Sequence, residues 1–68
     1  MDFVMVFDIP RDKGSVQRQV SRLLAKAGAK QIQFSVWKSK ESRKLIDIAS
    51  FIKKSGGDAR ILEERFIF

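Results

Sequence analysis

The pattern of apolar and polar positions divides the chain into a short series of strands and helices. Residues 2–7 form an apolar run rich in Val and Phe that is too short for a typical helix. Such a run predicts a central strand that is buried on both faces. Pro10 cannot donate a ladder hydrogen bond and biases Ile9 toward an extended conformation, so the strand is expected to end near Asp8.

Two amphipathic helices are predicted, each from one apolar stripe with helical spacing. The first runs from about Gly14 to Ala27 and is expected to end at Gly28. Its stripe comprises Val16, Val20, Leu23, Leu24 and Ala27. Ser39 is a candidate N-cap for a second helix that runs to about Lys54. The stripe of that helix comprises Leu45, Ile48, Ala49 and Ile52, widened by Ile46 and Phe51.

Residues 31–37 alternate in polarity, which predicts either one further strand or two short strands broken near Ser35. One side of the alternation would carry Ile32, Phe34 and Val36, and the other would carry Gln31, Gln33, Ser35 and Trp37. Residues 59–68 supply one or two more strands, with residues 63–64 as the interruption. The apolar residues 66–68 are expected in the sheet core or in a subunit contact, because an exposed segment of this kind would promote aggregation.

This element order predicts a single α+β domain over residues 1–68. The ferredoxin-like plan fits it, with an antiparallel sheet that carries two helices on one face. A chain of 68 residues buries only about 60% of the surface that its unfolded form exposes. We therefore expect a homodimer, formed through the open sheet face or through the sheet edges.

Composition narrows the chemistry that is available. The chain has no Cys and no His, which excludes thiolate metal sites and catalysis based on His and leaves carboxylates as candidate catalytic groups. It has no apolar run of 18 residues, so no membrane span is predicted. Asp2 followed by a strand pattern is unlike a signal peptide, and a cytoplasmic location is expected.

The basic charge is concentrated in one segment. The net charge is +6, and no Asp or Glu occurs from Lys13 to Lys40. Such a segment favours a nucleic-acid partner, DNA or RNA; the alternative is a solvated coat on a thermally stable protein. The candidate nucleic-acid-binding residues are Arg11, Lys13, Arg18, Arg22, Lys26 and Trp37. Trp37 would either stack on a base or pack within the protein.

Asp8 is the best candidate for a catalytic or metal-binding residue, because it lies at the carboxyl end of a strand, where α/β-type sheets tend to place ligands. Mg²⁺ commonly uses one or two carboxylates together with substrate phosphates, so a symmetric pair of Asp8 residues would suffice to hold it. The alternative is a structural role, in which Asp8 makes an Asx-type hydrogen bond before Pro10. Asp12 would either assist the metal or cap the first helix.

Four short motifs stand out along the chain: residues 7–10 (Phe-Asp-Ile-Pro), the helix end at Gly28, residues 33–37 (Gln-Phe-Ser-Val-Trp) and residues 58–63. Together they resemble the small CRISPR-adaptation protein family, the Cas-two family, and the related C-terminal domain of PaaX-type repressors. The resemblance implies a homodimer of ferredoxin-like subunits in which Asp8 and its twin approach across the two-fold axis and share Mg²⁺. It also implies one of two activities: a metal-dependent endonuclease, or a non-catalytic bridge that holds DNA beside an integrase subunit in spacer acquisition.

The chain also departs from the pattern of that family. It is shorter than most members, and Lys38 stands where an acid is frequent in the nuclease-like members. Trp37, in place of Phe, is closer to the PaaX-like branch, whose domain need not be catalytic. Three hypotheses follow: a nucleic-acid platform, an endonuclease that uses paired Asp8 residues, and a protein-interaction module.

Overall fold

The computed structural model describes residues 2–65, which form an α+β fold with one four-stranded sheet. The elements are β1 (Phe3–Asp8), α1 (Gly14–Lys26), β2 (Lys30–Gln33), β3 (Val36–Ser39), α2 (Ser42–Lys54) and β4 (Asp58–Glu63). The strand order is β2-β3-β1-β4, and every neighbouring pair is antiparallel. This arrangement confirms the predicted α+β class and is compatible with the ferredoxin-like plan. The predicted contact of residues 66–68 lies outside the described residues.

The core lies between one face of the sheet and both helices. Its strand residues alternate along the sheet, as in the cross-strand pairs of Met5 with Trp37 and of Phe7 with Ala59. The helices contribute Val20, Leu24, Leu45, Ile48 and Ile52. β1 is central, as predicted, but the prediction that both of its faces are buried is wrong for the described chain. Both helices cover the same face, and Val6 on the other face is 38% exposed.

The helix boundaries correct two of the predicted caps. α1 begins at Gly14 and is followed by Gly28 with φ +81°, a left-handed conformation that glycine adopts without strain. Asp12 does not cap it, because Lys13 occupies the N-cap position. Ser39 is not the N-cap of α2; it ends β3, and its Oγ accepts a hydrogen bond from the Glu41 N–H at 3.1 Å. Within residues 2–65, neither helix is long and apolar enough to cross a membrane.

The junction between α2 and β4 holds the end of β1 in place. A methyl group on Gly57 would lie 2.7 Å from the backbone oxygen of Asp8 and 2.8 Å from Cγ2 of Ile52, so only glycine fits without a shift of the backbone. The Lys13 ammonium donates a hydrogen bond to the Ser55 carbonyl at 2.6 Å, directly after α2. A cation in this position complements the negative end of the helix dipole. These contacts fix the geometry around Asp8.

Candidate nucleic-acid interface

Asp8 is exposed at the end of β1, as the Pro10 signal predicts. Among residues 2–65 its carboxylate makes neither a side-chain hydrogen bond nor an ion pair. The predicted alternative of an Asx-type hydrogen bond is therefore not what the structure shows. The carboxylate faces solvent on the open side of the sheet, on the same face as Val6 and Val4.

A second carboxylate faces Asp8 from the neighbouring strand. Asp58, the first residue of β4, is its direct cross-strand partner, and one oxygen of Asp58 accepts a hydrogen bond from the Ala59 N–H at 2.9 Å. Arg60 follows two residues later on the same face, opposite Val6. These side chains line a small depression of about 140 Å³ together with residues 6, 7 and 59. Within residues 2–65, no group of three or more acidic side chains is placed to hold a metal ion.

The predicted basic stripe lies on the outward face of α1. Val20 and Leu24 turn inward to the core, and Arg18, Arg22 and Lys26 are exposed. Residues four apart in an α-helix lie about 6 Å apart along the axis, so the three cations extend over about 12 Å. None of them forms an ion pair with an acid of residues 2–65. The stripe is therefore available to an external anion.

Arg11 and Lys13, the other two predicted cations, differ in their environments. Arg11 is exposed in the loop between β1 and α1, beside a cleft that also contains Phe34. Lys13 is half-buried, and its ammonium is directed at the Ser55 carbonyl. Lys13 thus has a structural role, and Arg11 remains accessible to a ligand.

Trp37 lies in the core, so the prediction that it occupies the polar side of its strand is wrong. Its side chain is 7% exposed and faces Met5 across the β1–β3 pair. Base stacking needs an exposed ring face, and this ring has none in the described chain. The aromatic residue that is exposed in this region is Phe34, at 73%. The alternation over residues 31–37 had placed Phe34 with Ile32 and Val36, on the side opposite Trp37.

The structure groups the candidate residues into three places. Asp8 lies with Asp58 and Arg60 at one end of the open sheet face, Arg11 lies in the cleft with Phe34, and the stripe lies along α1. Sequence reasoning missed Asp58, Arg60 and Phe34. The sequence did contain a signal for Asp58 and Arg60, because the predicted ferredoxin-like order places the start of β4 beside the end of β1.

Comparison with known proteins adds no family assignment. No protein-family model matches the chain, and no curated protein matches it significantly. The resemblance to the Cas-two family and to PaaX-type domains therefore rests on the short motifs described above.

Proposed function

We propose that the chain is a small nucleic-acid-binding protein that grips phosphate backbones without recognising a base sequence. The observation that carries this proposal is the exposed stripe of Arg18, Arg22 and Lys26, which has no acidic partner within residues 2–65. Phosphates recur about every 3.4 Å along one strand of B-DNA, so a stripe about 12 Å long spans several of them. Arginine adds bidentate hydrogen bonds to phosphate oxygens.

The distribution of charge along the chain supports the same proposal. Residues 13–40 carry seven cations and no acid, and the rest of the chain carries seven cations and eight acids. The cations of this segment lie in and beside α1, β2 and β3, and Lys38 of β3 pairs with Asp2 and Glu64. The helix α2 adds four cations and one acid, so the two helices together carry the net charge of +6. A solvated coat of the kind found on thermostable proteins would intersperse both signs over the surface.

The test is a titration of labelled duplex DNA and duplex RNA at several salt concentrations. Binding through phosphates releases counterions, so the logarithm of the affinity is expected to fall linearly with the logarithm of the salt concentration. Weak binding that does not change with salt would contradict the proposal and would favour the protein-interaction module. DNA and RNA are tested side by side because both carry phosphates, so a backbone contact does not select one of them.

The open sheet face supports a homodimer as the functional form. The face carries Val4, Val6, Val36 and Leu62 on three adjacent strands, and Val6 and Leu62 are 38% and 54% exposed. Exposed apolar side chains on adjacent strands are stabilised when another protein surface packs against them. A second copy of the chain supplies a matching surface through a two-fold axis. The dimer would bring two basic stripes to one nucleic acid.

Val6→Lys is expected to give a monomer, because it removes a central apolar contact and adds a further cation to a face that already holds Lys38 opposite Val4 and Arg60 opposite Val6. Light scattering should show a mass near twice 7.8 kDa for the parent protein and near the single mass for the variant. Ile46→Lys is the matched control, since Ile46 is 54% exposed on α2, away from the sheet. A monomeric parent protein at micromolar concentration would contradict the dimer.

The role implied by the Cas-two resemblance is a bridge that holds DNA beside an integrase subunit during spacer acquisition. The support comes from the motifs around Asp8 and Val36, together with a fold compatible with the ferredoxin-like plan. An integrase gene beside the gene for this chain would favour this role. A neighbouring gene set without any CRISPR component would favour the PaaX-like alternative.

A metal-dependent endonuclease is the second candidate, favoured by the pairing of Asp8 with Asp58. Two carboxylates directly opposite each other repel, and hard oxygen donors of this kind fit Mg²⁺. Asp8 and Asp58 would hold the ion, and Arg60 would receive the negative charge that develops on a phosphate. Bound Mg²⁺ would supply a polarised water and charge neutralisation at the phosphate.

Asp8→Asn separates this candidate from the platform. The endonuclease would lose cleavage of labelled RNA or DNA but keep its affinity, and MgCl₂ would raise the Tm of the parent protein and not of the variant. Without Mg²⁺, removal of the repulsion should raise stability by about 0.2–1 kcal/mol. Asp47→Asn, on the exposed side of α2, is the control. Equal responses of parent and variant to MgCl₂ would contradict a metal role for Asp8.

A further inference from the structure

The tip of the β2–β3 hairpin presents an aromatic ring to solvent from a fixed backbone. Phe34 occupies the turn and is 73% exposed, the highest value among the large hydrophobic residues of the described chain. Two hydrogen bonds hold the turn. The Phe7 N–H donates to the Ser35 carbonyl at 3.1 Å, and the Gln31 side-chain amide donates to the Phe34 carbonyl at 3.4 Å. The ring therefore projects from an anchored position.

A cleft of about 210 Å³ opens beside this ring. It is lined by Phe34 and by five residues of the β1–α1 loop and the start of α1, namely Ile9, Pro10, Arg11, Gly14 and Gln17. No acid is among them. Pockets that enclose a drug-sized ligand measure about 300–1,000 Å³, so this cleft suits a smaller group.

The polar groups of the cleft suit a nucleotide. Arg11 contributes one guanidinium, and Nη1 of Arg18 lies 3.7 Å from the position that a Cβ on Gly14 would occupy, which places a second guanidinium at the rim. Gln17 adds an amide that can both donate and accept hydrogen bonds to a base edge. Arg18 also begins the basic stripe of α1. The cleft and the stripe thus form one continuous surface.

We propose that this cleft binds one unpaired nucleobase, stacked on Phe34, with the adjoining phosphate held by Arg11 and Arg18. The protein would then prefer a nucleic acid with an unpaired end over a blunt duplex, because stacking needs an exposed base face. This inference rests on the proposed nucleic-acid-binding function and adds a substrate preference to it. The guanidinium groups of Arg11 and Arg18 beside the ring match the charge of a phosphate, which an apolar protein surface does not supply.

The experiment compares hairpin duplexes that are blunt or carry three unpaired nucleotides at the 3′ or 5′ end, in DNA and in RNA. Fluorescence anisotropy should show a preference of about tenfold for a tailed duplex in the parent protein. Phe34→Ala should remove this preference and leave the affinity for the blunt duplex unchanged. Phe34→Tyr should retain the preference, because it keeps the ring. Ile32→Ala is the matched control, a residue 50% exposed on the same hairpin but outside the cleft.

An abasic tail supplies the complementary test, because it keeps the phosphates and removes the bases. The parent protein should bind the duplex with the abasic tail about tenfold more weakly than the duplex with the normal tail. The Phe34→Ala variant should bind these two duplexes with equal affinity. A parent protein without preference, or a preference that survives in Phe34→Ala, would overturn the inference and leave blunt-duplex binding to support the proposed function. Failure to bind any of the oligonucleotides at low salt would overturn both. If Phe34→Ala changed the mass in light scattering and not the preference, the ring would be a subunit contact.

Discussion

Replacing Arg18, Arg22 and Lys26 together by alanine is expected to lower the affinity for duplex DNA by on the order of 100-fold or more near 0.1 M salt. Each phosphate contact contributes a slope of about −0.9 to the plot of log affinity against log salt concentration, so three contacts contribute about −2.7 for each bound stripe. Anisotropy titrations at four or five salt concentrations measure both quantities. Circular dichroism checks that the exposed substitutions leave the fold unchanged.

The matched control removes three cations from the other helix. Arg43, Lys53 and Lys54 are exposed on α2, so their triple alanine variant has the same net charge as the stripe variant. If the stripe is the contact surface, this control keeps most of the affinity and a steep slope. Equal losses in the two variants would show that total charge, and not the α1 surface, determines binding.

Trp37→Ala is expected to remove a large share of the free energy of unfolding of the protein. Removal of a buried Trp side chain costs about 3–5 kcal/mol, and a domain of this length has a total stability of about 3–10 kcal/mol. Circular dichroism in a urea titration measures the change, at one fixed protein concentration because a dimer couples stability to concentration. Trp37 is the only Trp of the chain, so its own fluorescence cannot serve for this variant.

Trp37→Phe is the conservative partner of that substitution. It leaves a smaller cavity and also removes the indole Nε1–H, a buried donor without a hydrogen-bond partner in residues 2–65. The cavity lowers the free energy of unfolding and the removal of the unpaired donor raises it, so the net loss in the free energy of unfolding should stay below about 1.5 kcal/mol. A Trp37→Ala variant that folds normally but binds DNA weakly would contradict the buried position of the ring and would restore the predicted stacking role.

The helices and the central strand could be predicted because their signals are local. The apolar stripe of α1, the glycine at position 28 and the proline after β1 each act on residues only a few positions away. The start of α2 was misplaced for a related reason. Ser39 makes the kind of side-chain hydrogen bond that an N-cap makes, but it makes it to Glu41 in a turn that precedes the helix.

The orientation of Trp37 could not be predicted from alternation alone. A period of two holds only within one uninterrupted strand, and here a register shift between Gln31 and Gln33 and the turn after Gln33 both interrupt it. Gln31 is paired with Trp37 and Gln33 is paired with Val36, so the two Gln side chains lie on opposite faces and the face that carries Trp37 is not a polar one. Phe34 is left at the hairpin tip. The large volume of the indole favours its burial in the core. The polarity pattern, however, does not show where a bulge shifts the alternation of side chains between the two faces of the strand.

The pairing of Asp8 with Asp58 is a long-range feature that no local pattern contains. The two residues are far apart along the chain and become neighbours only through the β1–β4 ladder and the close approach of Gly57 to the Asp8 carbonyl. Sequence reasoning instead paired Asp8 with its twin in a second subunit. Both arrangements place two carboxylates together, and Asp8→Asn would disturb either one.

Because α1 carries three cations and no acid, α2 carries four cations and one acid, and both helices cover the same face of the sheet, the net charge is concentrated on one side of the protein, which therefore behaves as an electric dipole. A polyanion at a distance would exert a torque on it and turn the side that carries the helices forward before contact. A larger fraction of the encounters between protein and nucleic acid would then lead to binding than for randomly oriented molecules, especially at low ionic strength. Mixing experiments should therefore show an association rate constant that falls with added salt more steeply than the dissociation rate constant rises.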